Sequence, residues 1–134
     1  MANPQNWRAY GVLLRGGQVL IAAEWVGRVF AWKFPGGGVD PGEGAEQALI
    51  REFMEETRMD VRVIAELHDP GTRISPWTGG PYTPVYYLVE GDGEPDVPAH
   101  EKVTVSFRDP AEVLASDLVA GPEKVALRAA LALA

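Results

Sequence analysis

The chain has 134 residues, two histidines, no cysteine and a formal net charge of −7. This length is enough for one domain with a substantial core and too short for two, so we predict a single domain over residues 1–134. The missing cysteines exclude disulfides, thiolate zinc sites and a cysteine nucleophile, and two histidines alone disfavour a multi-histidine metal site.

The first third of the chain reads as three strands. Two apolar stretches, Tyr10 to Leu14 and Val19 to Ala23, flank Arg15-Gly16-Gly17-Gln18, which is a typical hairpin turn. A third strand is predicted from Val29 to Phe34, and Pro35 to Gly38 is expected to end it.

A helix is predicted from Ala45 to Thr57, because this segment is rich in good helix formers and follows a glycine-rich loop. Further strands are expected at Val61 to Leu67, Thr83 to Glu90 and Lys102 to Phe107. The remaining elements are a long loop, a helical turn and an amphipathic terminal helix, at Asp69 to Pro84, Pro110 to Leu114 and Pro122 to Ala134.

The acidic surface should repel a nucleic-acid backbone, so we expect no polymer partner. A small polyphosphate would need cations in its site, and carboxylate-bound divalent metal is the usual source. Residues 1–6 lack the pattern of a secretory signal, and no apolar run approaches the roughly 18 residues of a membrane span. We therefore expect a cytoplasmic protein without a membrane partner.

Three carboxylates of the predicted helix share one face. At 100° per residue, Glu52, Glu55 and Glu56 fall within an arc of roughly 100°. A glutamate run is usually a solvated helix face. Here, however, a glycine-rich loop with two more carboxylates, Asp40 and Glu43, precedes the helix, and such a loop lets backbone approach a phosphate or metal closely. We expect a cation at this face, and we expect Arg51 to pair with a nearby carboxylate such as Glu43.

The segment Gly37 to Met59 resembles the Nudix box. That pattern is Gly, five residues, Glu, seven residues, Arg-Glu, an apolar residue, any residue, Glu-Glu, any residue, Gly and a bulky apolar residue. The matching positions are Gly37, Glu43, Arg51, Glu52, Phe53, Glu55, Glu56 and Met59.

The resemblance implies an α/β protein with the Nudix α/β/α sandwich and a mixed β-sheet. It implies a pyrophosphohydrolase that uses Mg²⁺ or Mn²⁺ and cleaves the diphosphate of a nucleoside-diphosphate-X compound. Such a substrate is a nucleoside triphosphate, an oxidised deoxynucleoside triphosphate or a nucleotide sugar such as ADP-ribose. Carried over by position, the metal ligands are Glu52, Glu55, Glu56 and the backbone carbonyl near Gly37, with hard oxygen donors that suit these ions.

The resemblance allows Glu52 as the general base. The other candidate is a carboxylate from a later loop, and we choose Glu101 because it just precedes a probable strand, although a solvated loop residue is an equally simple interpretation. Arg51, beside the three glutamates, is expected to orient the catalytic site. Substrate specificity in this family comes from segments outside the box. Candidate residues that would stack on a base or contact a phosphate are Arg73, Trp77 and Tyr82 in the long loop, with Trp25 and Phe30 near the second strand. Lys33, Arg73 and Lys102 could meet the terminal phosphates, but ordinary surface charge is the simpler interpretation of each.

One position departs from the box, since Arg58 stands where the family has glycine. That glycine ends the helix in a left-handed conformation, which a residue with a Cβ adopts at a cost of order 1 kcal/mol. We expect a small loss of stability or a slightly different cap, with metal binding intact.

Three other interpretations compete with a Nudix hydrolase. A nucleotide-binding regulatory Nudix domain without turnover would usually lack one of the carboxylates that this chain keeps, and prenyl-diphosphate isomerisation usually needs a cysteine. A P-loop nucleotidase would need a Gly-Lys-Ser/Thr ending that the glycine loop lacks.

Exposed aromatic residues and the apolar terminal helix would suit a homodimer.

Overall fold

A computed structural model describes residues 3–134 as a mixed sheet between helices. Its strands are β1 (Trp7–Arg15), β2 (Gln18–Val26), β3 (Val29–Lys33), β4 (Gly36–Gly38), β5 (Arg62–His68), β6 (Arg73–Ile74), β7 (Pro81–Glu90) and β8 (Thr104–Arg108). Its helices are α1 (Ala45–Thr57), α2 (Pro110–Ala115) and α3 (Gly121–Leu133).

The central strands β1 and β7 run parallel, with Tyr10 opposite Tyr86. Outward from this pair the order is β3-β2-β1-β7-β5, and β4, β6 and β8 pair with β1, β7 and β2 in antiparallel fashion. The sheet is therefore mixed, as the family resemblance implied.

The two faces of the sheet carry separate cores. Along β7, Val85, Tyr87 and Val89 pack on the α1 side, whereas Tyr86 and Leu88 point to the other side. Because side chains alternate across a strand, both faces of the central strands are apolar and both need a cover.

Helix α1 covers the first face and α3 covers the second. Leu49 and Phe53 are fully buried against the first core, and Leu127 and Ala130 are fully buried in the second. This arrangement is the α/β/α sandwich that was predicted.

Two predicted loops contain strand. Pro35 to Gly38 was expected to end a strand, but Gly36–Gly38 forms β4 because its backbone pairs with Arg8–Tyr10 of β1. The predicted loop from Asp69 to Pro84 contains β6, and β7 already begins at Pro81, so these residues form a short ladder with Arg73 opposite Tyr82.

Helix α1 ends at Arg58 in the left-handed conformation that the family's glycine adopts, so the different cap that was one of the two expectations is not found. Arg58 has φ 57° and ψ 19°, and its N–H donates to the carbonyl of Met54 at 2.9 Å. Among the residues that the model describes, no helix is long and apolar enough to cross a membrane.

Candidate active site

Helix α1 presents its carboxylates to the glycine strand β4. We call Glu52, Glu55 and Glu56 the glutamate face. A Cβ placed on Gly37 would lie 2.6 Å from Cδ of Glu52, so only glycine lets this carboxylate lie against the strand. The backbone N–H of Gly36 donates to Oε1 of Glu56 at 3.3 Å. Two of the three carboxylates are thus held close to the backbone of β4.

Arg51 organises the loop in front of the helix. Its Nε and Nη2 donate to the two carboxylate oxygens of Glu43, each at 2.8 Å, which is the predicted pairing in bidentate form. Nη2 also donates to the carbonyl of Gly38 at 3.0 Å, and Nη1 donates to Glu52 at 3.0 Å and Glu55 at 3.2 Å. The Arg51 bond, with the backbone N–H of Asp40, lowers the pKa of Glu43 to about 2.

The glutamate face carries more negative charge than its surroundings neutralise. Burial raises the pKa of Glu56 to about 8, opposed by the Gly36 N–H and reinforced by the charges of Glu24 and Glu52. Burial also raises the pKa of Glu52, against the effect of Arg51. Such shifts occur where a carboxylate is buried and other negative charges lie nearby.

The donor chemistry at this face fits a hard divalent ion. Within residues 3–134, no three acidic or histidine side chains already lie close enough together to hold a metal ion. Nevertheless, Glu52 and Glu56 both meet the strand of Gly36 and Gly37, and carboxylate and carbonyl oxygens are the ligands that Mg²⁺ and Mn²⁺ prefer. A bound cation would favour the ionised form of Glu56, which burial and the charges of Glu24 and Glu52 disfavour.

A cavity of about 360 Å³ adjoins this region, and we call it the aromatic pocket. Four segments of the chain meet there. Its lining residues are Asn6, Arg8, Tyr10, Glu24, Trp25, Val26, Gly27, Lys33, Ser75, Trp77, Thr78 and Tyr82.

Three of the five predicted substrate residues line the aromatic pocket, namely Trp25, Trp77 and Tyr82. The rings of Trp77 and Tyr82 are 6.3 Å apart, and Trp25 is 68% exposed. Aromatic faces of this kind can stack on a nucleobase.

The other two predicted substrate residues lie elsewhere. Phe30 packs edge-on against Trp25, with ring centroids 5.3 Å apart, and does not line the pocket. Arg73 is exposed on β6 and borders a different groove, beside His68 and Pro122. Strand pairing with β7 fixes Arg73 there, so its position does not support contact with a substrate in the aromatic pocket.

Glu101 lies in a loop before β8, in a groove that it shares with Glu24, Trp25 and Phe30. Its carboxylate is 3.6 Å from Nε2 of His100. Glu101 therefore borders the Trp25 side of the aromatic pocket and does not line the pocket itself.

Lys33 is buried, which corrects its interpretation as a surface charge. It is only 7% exposed, and its Nζ lies 5.3 Å from the ring centre of Tyr10 and 5.5 Å from that of Trp77. Nζ also donates to Glu24 at 3.2 Å. When both faces of a strand are covered, apolar and polar residues do not alternate along it, so the sequence pattern does not indicate that a lysine on the strand is buried.

The sequence-based search also missed Arg8 and Glu24. Both line the aromatic pocket, and both lie close enough to the glutamate face to affect the pKa values of its members. They lie in β1 and β2, outside the Nudix box in sequence, so only tertiary structure brings them to the site.

The chain matches a known family. The NUDIX domain model matches residues 5–129, which is nearly the whole chain. This chain belongs to the Nudix family. A NUDIX hydrolase from Nitrosomonas europaea has a similar structure, with a TM-score of 0.81 and 19% identity over 97% of this chain and 90% of that one.

Two further comparisons agree. A MutT NUDIX hydrolase from Burkholderia pseudomallei gives a TM-score of 0.77 with 22% identity, over 95% of this chain and 98% of that one. An RNA pyrophosphohydrolase from Klebsiella pneumoniae (strain 342) is 48% identical over 54 residues, which cover 38% of this Nudix chain. The matched segment spans only 30% of that relative's length.

Proposed function

We propose that this Nudix protein is a pyrophosphohydrolase that depends on Mg²⁺ or Mn²⁺ and cleaves the diphosphate linkage of a nucleoside-diphosphate derivative. The observation that carries the proposal is the position of the glutamate face. Glu52 and Glu56 lie against the glycine strand, and Arg8 and Glu24 connect that region to the aromatic pocket. A substrate with a base in the pocket would extend its phosphates toward the carboxylates.

In this proposal the metal is held by Glu52, Glu55 and Glu56, with the backbone near Gly37 as a further donor. A divalent ion there would neutralise phosphate charge and activate water for attack on phosphorus. Arg51 holds the loop and the helix in register, because one guanidinium contacts the carbonyl of Gly38 as well as the helix carboxylates.

We propose Glu52 as the group that takes the proton from the attacking water, with Glu101 as the alternative. Glu52 lies beside Gly37 at the proposed metal, where it can reach an attacking water, and burial raises its pKa. Glu101 lies on the Trp25 side. We expect Glu101→Gln to lower kcat less than Glu52→Gln does, and the reverse order would assign the base to Glu101.

We propose a small-molecule nucleotide as the substrate. The curated relative acts on RNA by name, but this chain carries a net charge of −7, which opposes polymer binding. The aromatic pocket, about 360 Å³ in volume, is at the small end of the range for small-molecule sites and suits one nucleoside.

A substrate panel tests the proposed function. It contains the nucleoside triphosphates, 8-oxo-dGTP, ADP-ribose, dinucleoside polyphosphates and a 5′-triphosphorylated RNA oligonucleotide, each with magnesium, with manganese and with a chelator. Metal-dependent release of a nucleoside monophosphate supports the proposal and identifies the substrate class. If only the RNA oligonucleotide is turned over, the substrate is the 5′ end of an RNA and not a small-molecule nucleotide.

A protein that binds a nucleotide of the panel but turns over none would instead be the regulatory Nudix domain. That result would contradict the proposed hydrolysis.

A further inference from the structure

Arg8 is a half-buried cation that the glutamate face and the loop contacts do not use. Its Nε donates to the hydroxyl of Tyr10 at 2.7 Å. Among the residues that the model describes, neither terminal nitrogen of Arg8 has a hydrogen-bond or salt-bridge partner. A guanidinium has five N–H donors in a rigid fork, so most of the donors of Arg8 are left without a protein acceptor.

The free donors of Arg8 lie between the aromatic pocket and the glutamate face. Arg8 lines the aromatic pocket, and its Nη1 is 3.8 Å from where a Cβ on Gly38 would be. It is opposite Gly38 in the ladder of β1 and β4, the strand that Glu52 and Glu56 contact. The guanidinium therefore lies on the path from the pocket to the glutamate face.

A second cation, Lys33, lies near the same Tyr10 ring as Arg8. The ring of Tyr10 has the Cζ of Arg8 at 5.9 Å from its centre and Nζ of Lys33 at 5.3 Å. Lys33 pairs with Glu24, which is partly exposed in the same pocket. Two cations that flank one tyrosine form a positive patch within an otherwise acidic protein.

Both cations keep their charge. Tyr10 has the largest effect on the pKa of Arg8 and raises it, and Glu52 and Glu24 add to this against the effect of burial. For Lys33, burial favours the neutral amine, but Tyr10 and Glu24 outweigh it and the pKa is raised. Forked, charged donors with free positions are suited to a phosphate.

We propose that Arg8, with Lys33 beside it, binds the phosphate group adjacent to the nucleoside, so that the next phosphate reaches the glutamate face. This inference rests on the proposed function, since it assumes that a nucleotide occupies the aromatic pocket. Arg8 is then a substrate-binding residue that adds affinity for a phosphorylated nucleoside over the bare nucleoside.

The test compares binding of nucleoside monophosphates with binding of the matching nucleosides. Calorimetric titrations with AMP, GMP, CMP and UMP, and with the four nucleosides, are done with chelator present, so that no metal contributes. For the base that binds most tightly, we expect the monophosphate to bind about 10-fold more tightly than the nucleoside. Arg8→Met should reduce this ratio to about 1 and leave nucleoside affinity unchanged, and Arg8→Lys should restore part of it.

Arg62→Met is the matched control. Arg62 is an exposed arginine on β5 that pairs with Glu90, so its loss changes net charge by the same amount away from the pocket. The inference fails if the wild-type ratio is near 1, if no monophosphate binds, if Arg62→Met lowers the ratio equally, or if Arg8→Met weakens both ligands alike. The last result would give Arg8 a structural role.

Turnover of the substrate panel is measured on the same preparations. If the enzyme turns over a panel member but the ratio of monophosphate affinity to nucleoside affinity is near 1, only the proposed role of Arg8 is contradicted. A ratio that depends on Arg8, without turnover of any panel member, contradicts the proposed hydrolysis alone.

Discussion

The glutamate face and the aromatic pocket differ in how their charges are satisfied. On the glutamate face, Arg51 is shared among several carboxylates, and the pKa of Glu56 is still raised to about 8. In the pocket, the terminal nitrogens of Arg8 have no acceptor among the described residues, and Lys33 lies near the rings of Tyr10 and Trp77. One region needs a cation and the other can take an anion, which is the combination that a metal-bound polyphosphate requires.

The first test of this difference removes a carboxylate from the glutamate face. Glu56→Gln should lower kcat by about 1000-fold, because a metal ligand is lost, and Glu55→Gln should also lower it by orders of magnitude. Steady-state kinetics with magnesium measure both. The fold should stay intact, and Glu56→Gln should be more stable than wild type at pH 8 and above in chelator, since an ionised buried carboxylate is removed. Normal turnover in Glu55→Gln or Glu56→Gln would remove that residue from the metal site.

The second test concerns the core beneath the pocket. Glu123, in the first turn of α3, is 1% exposed, and burial raises its pKa to about 7. A native pKa above the unfolded value of 4.5 means that the folded protein binds more protons between pH 4.5 and 7, so stability falls as pH rises through this window. We expect Glu123→Gln to be about 3 kcal/mol more stable than wild type at pH 8 and equal to it near pH 4.

Denaturant unfolding at several pH values measures that difference, and the contribution of Glu56 cancels because both proteins contain it. In the described residues, neither carboxylate oxygen of Glu123 has a hydrogen-bond partner, although the residue and Tyr86 shift each other's pKa. A stability difference that does not vary with pH would show that Glu123 does not titrate in this window.

The third test asks whether the glycine strand positions the glutamate face. Gly37→Ala adds a Cβ 2.6 Å from the Glu52 carboxylate carbon, and a displacement of about 1 Å can cost about 100-fold in rate. We expect kcat to fall by about that factor while the unfolding midpoint changes little. Gly121→Ala is the control, since a Cβ there meets nothing within 4 Å. Equal kinetics for the two variants would show that the Glu52 contact is dispensable.

The fourth and smallest test addresses the pocket. Trp77→Ala should raise KM about 10-fold with kcat nearly unchanged, because stacking on a base is worth about 1–3 kcal/mol and acts on binding. Phe30→Ala is the matched aromatic control, since Phe30 contacts Trp25 outside the pocket. A fall in kcat alone would move Trp77 from substrate binding to another role.

Local pattern predicted most of the fold. The helix at Ala45–Thr57 has the predicted bounds, and the hairpin, the later strands and the terminal helix lie within a few residues of their predicted positions. The short strands β4 and β6 were missed because their backbone pairs with distant strands, and no side-chain pattern in three glycines or in two residues encodes a partner.

What the sequence by itself determined is the glutamate face, since the spacing along one helix places Glu52, Glu55 and Glu56 on one side whatever the rest of the chain does. What only the tertiary structure decided is the aromatic pocket. Pairing of β2 with β1 and β3, and of β1 with β7, brings Arg8, Lys33 and Trp77 to one pocket, whereas pairing of β6 with β7 takes Arg73 to another groove. The physical reason is that helix periodicity is local, whereas the register between strands depends on contacts between residues far apart in the chain.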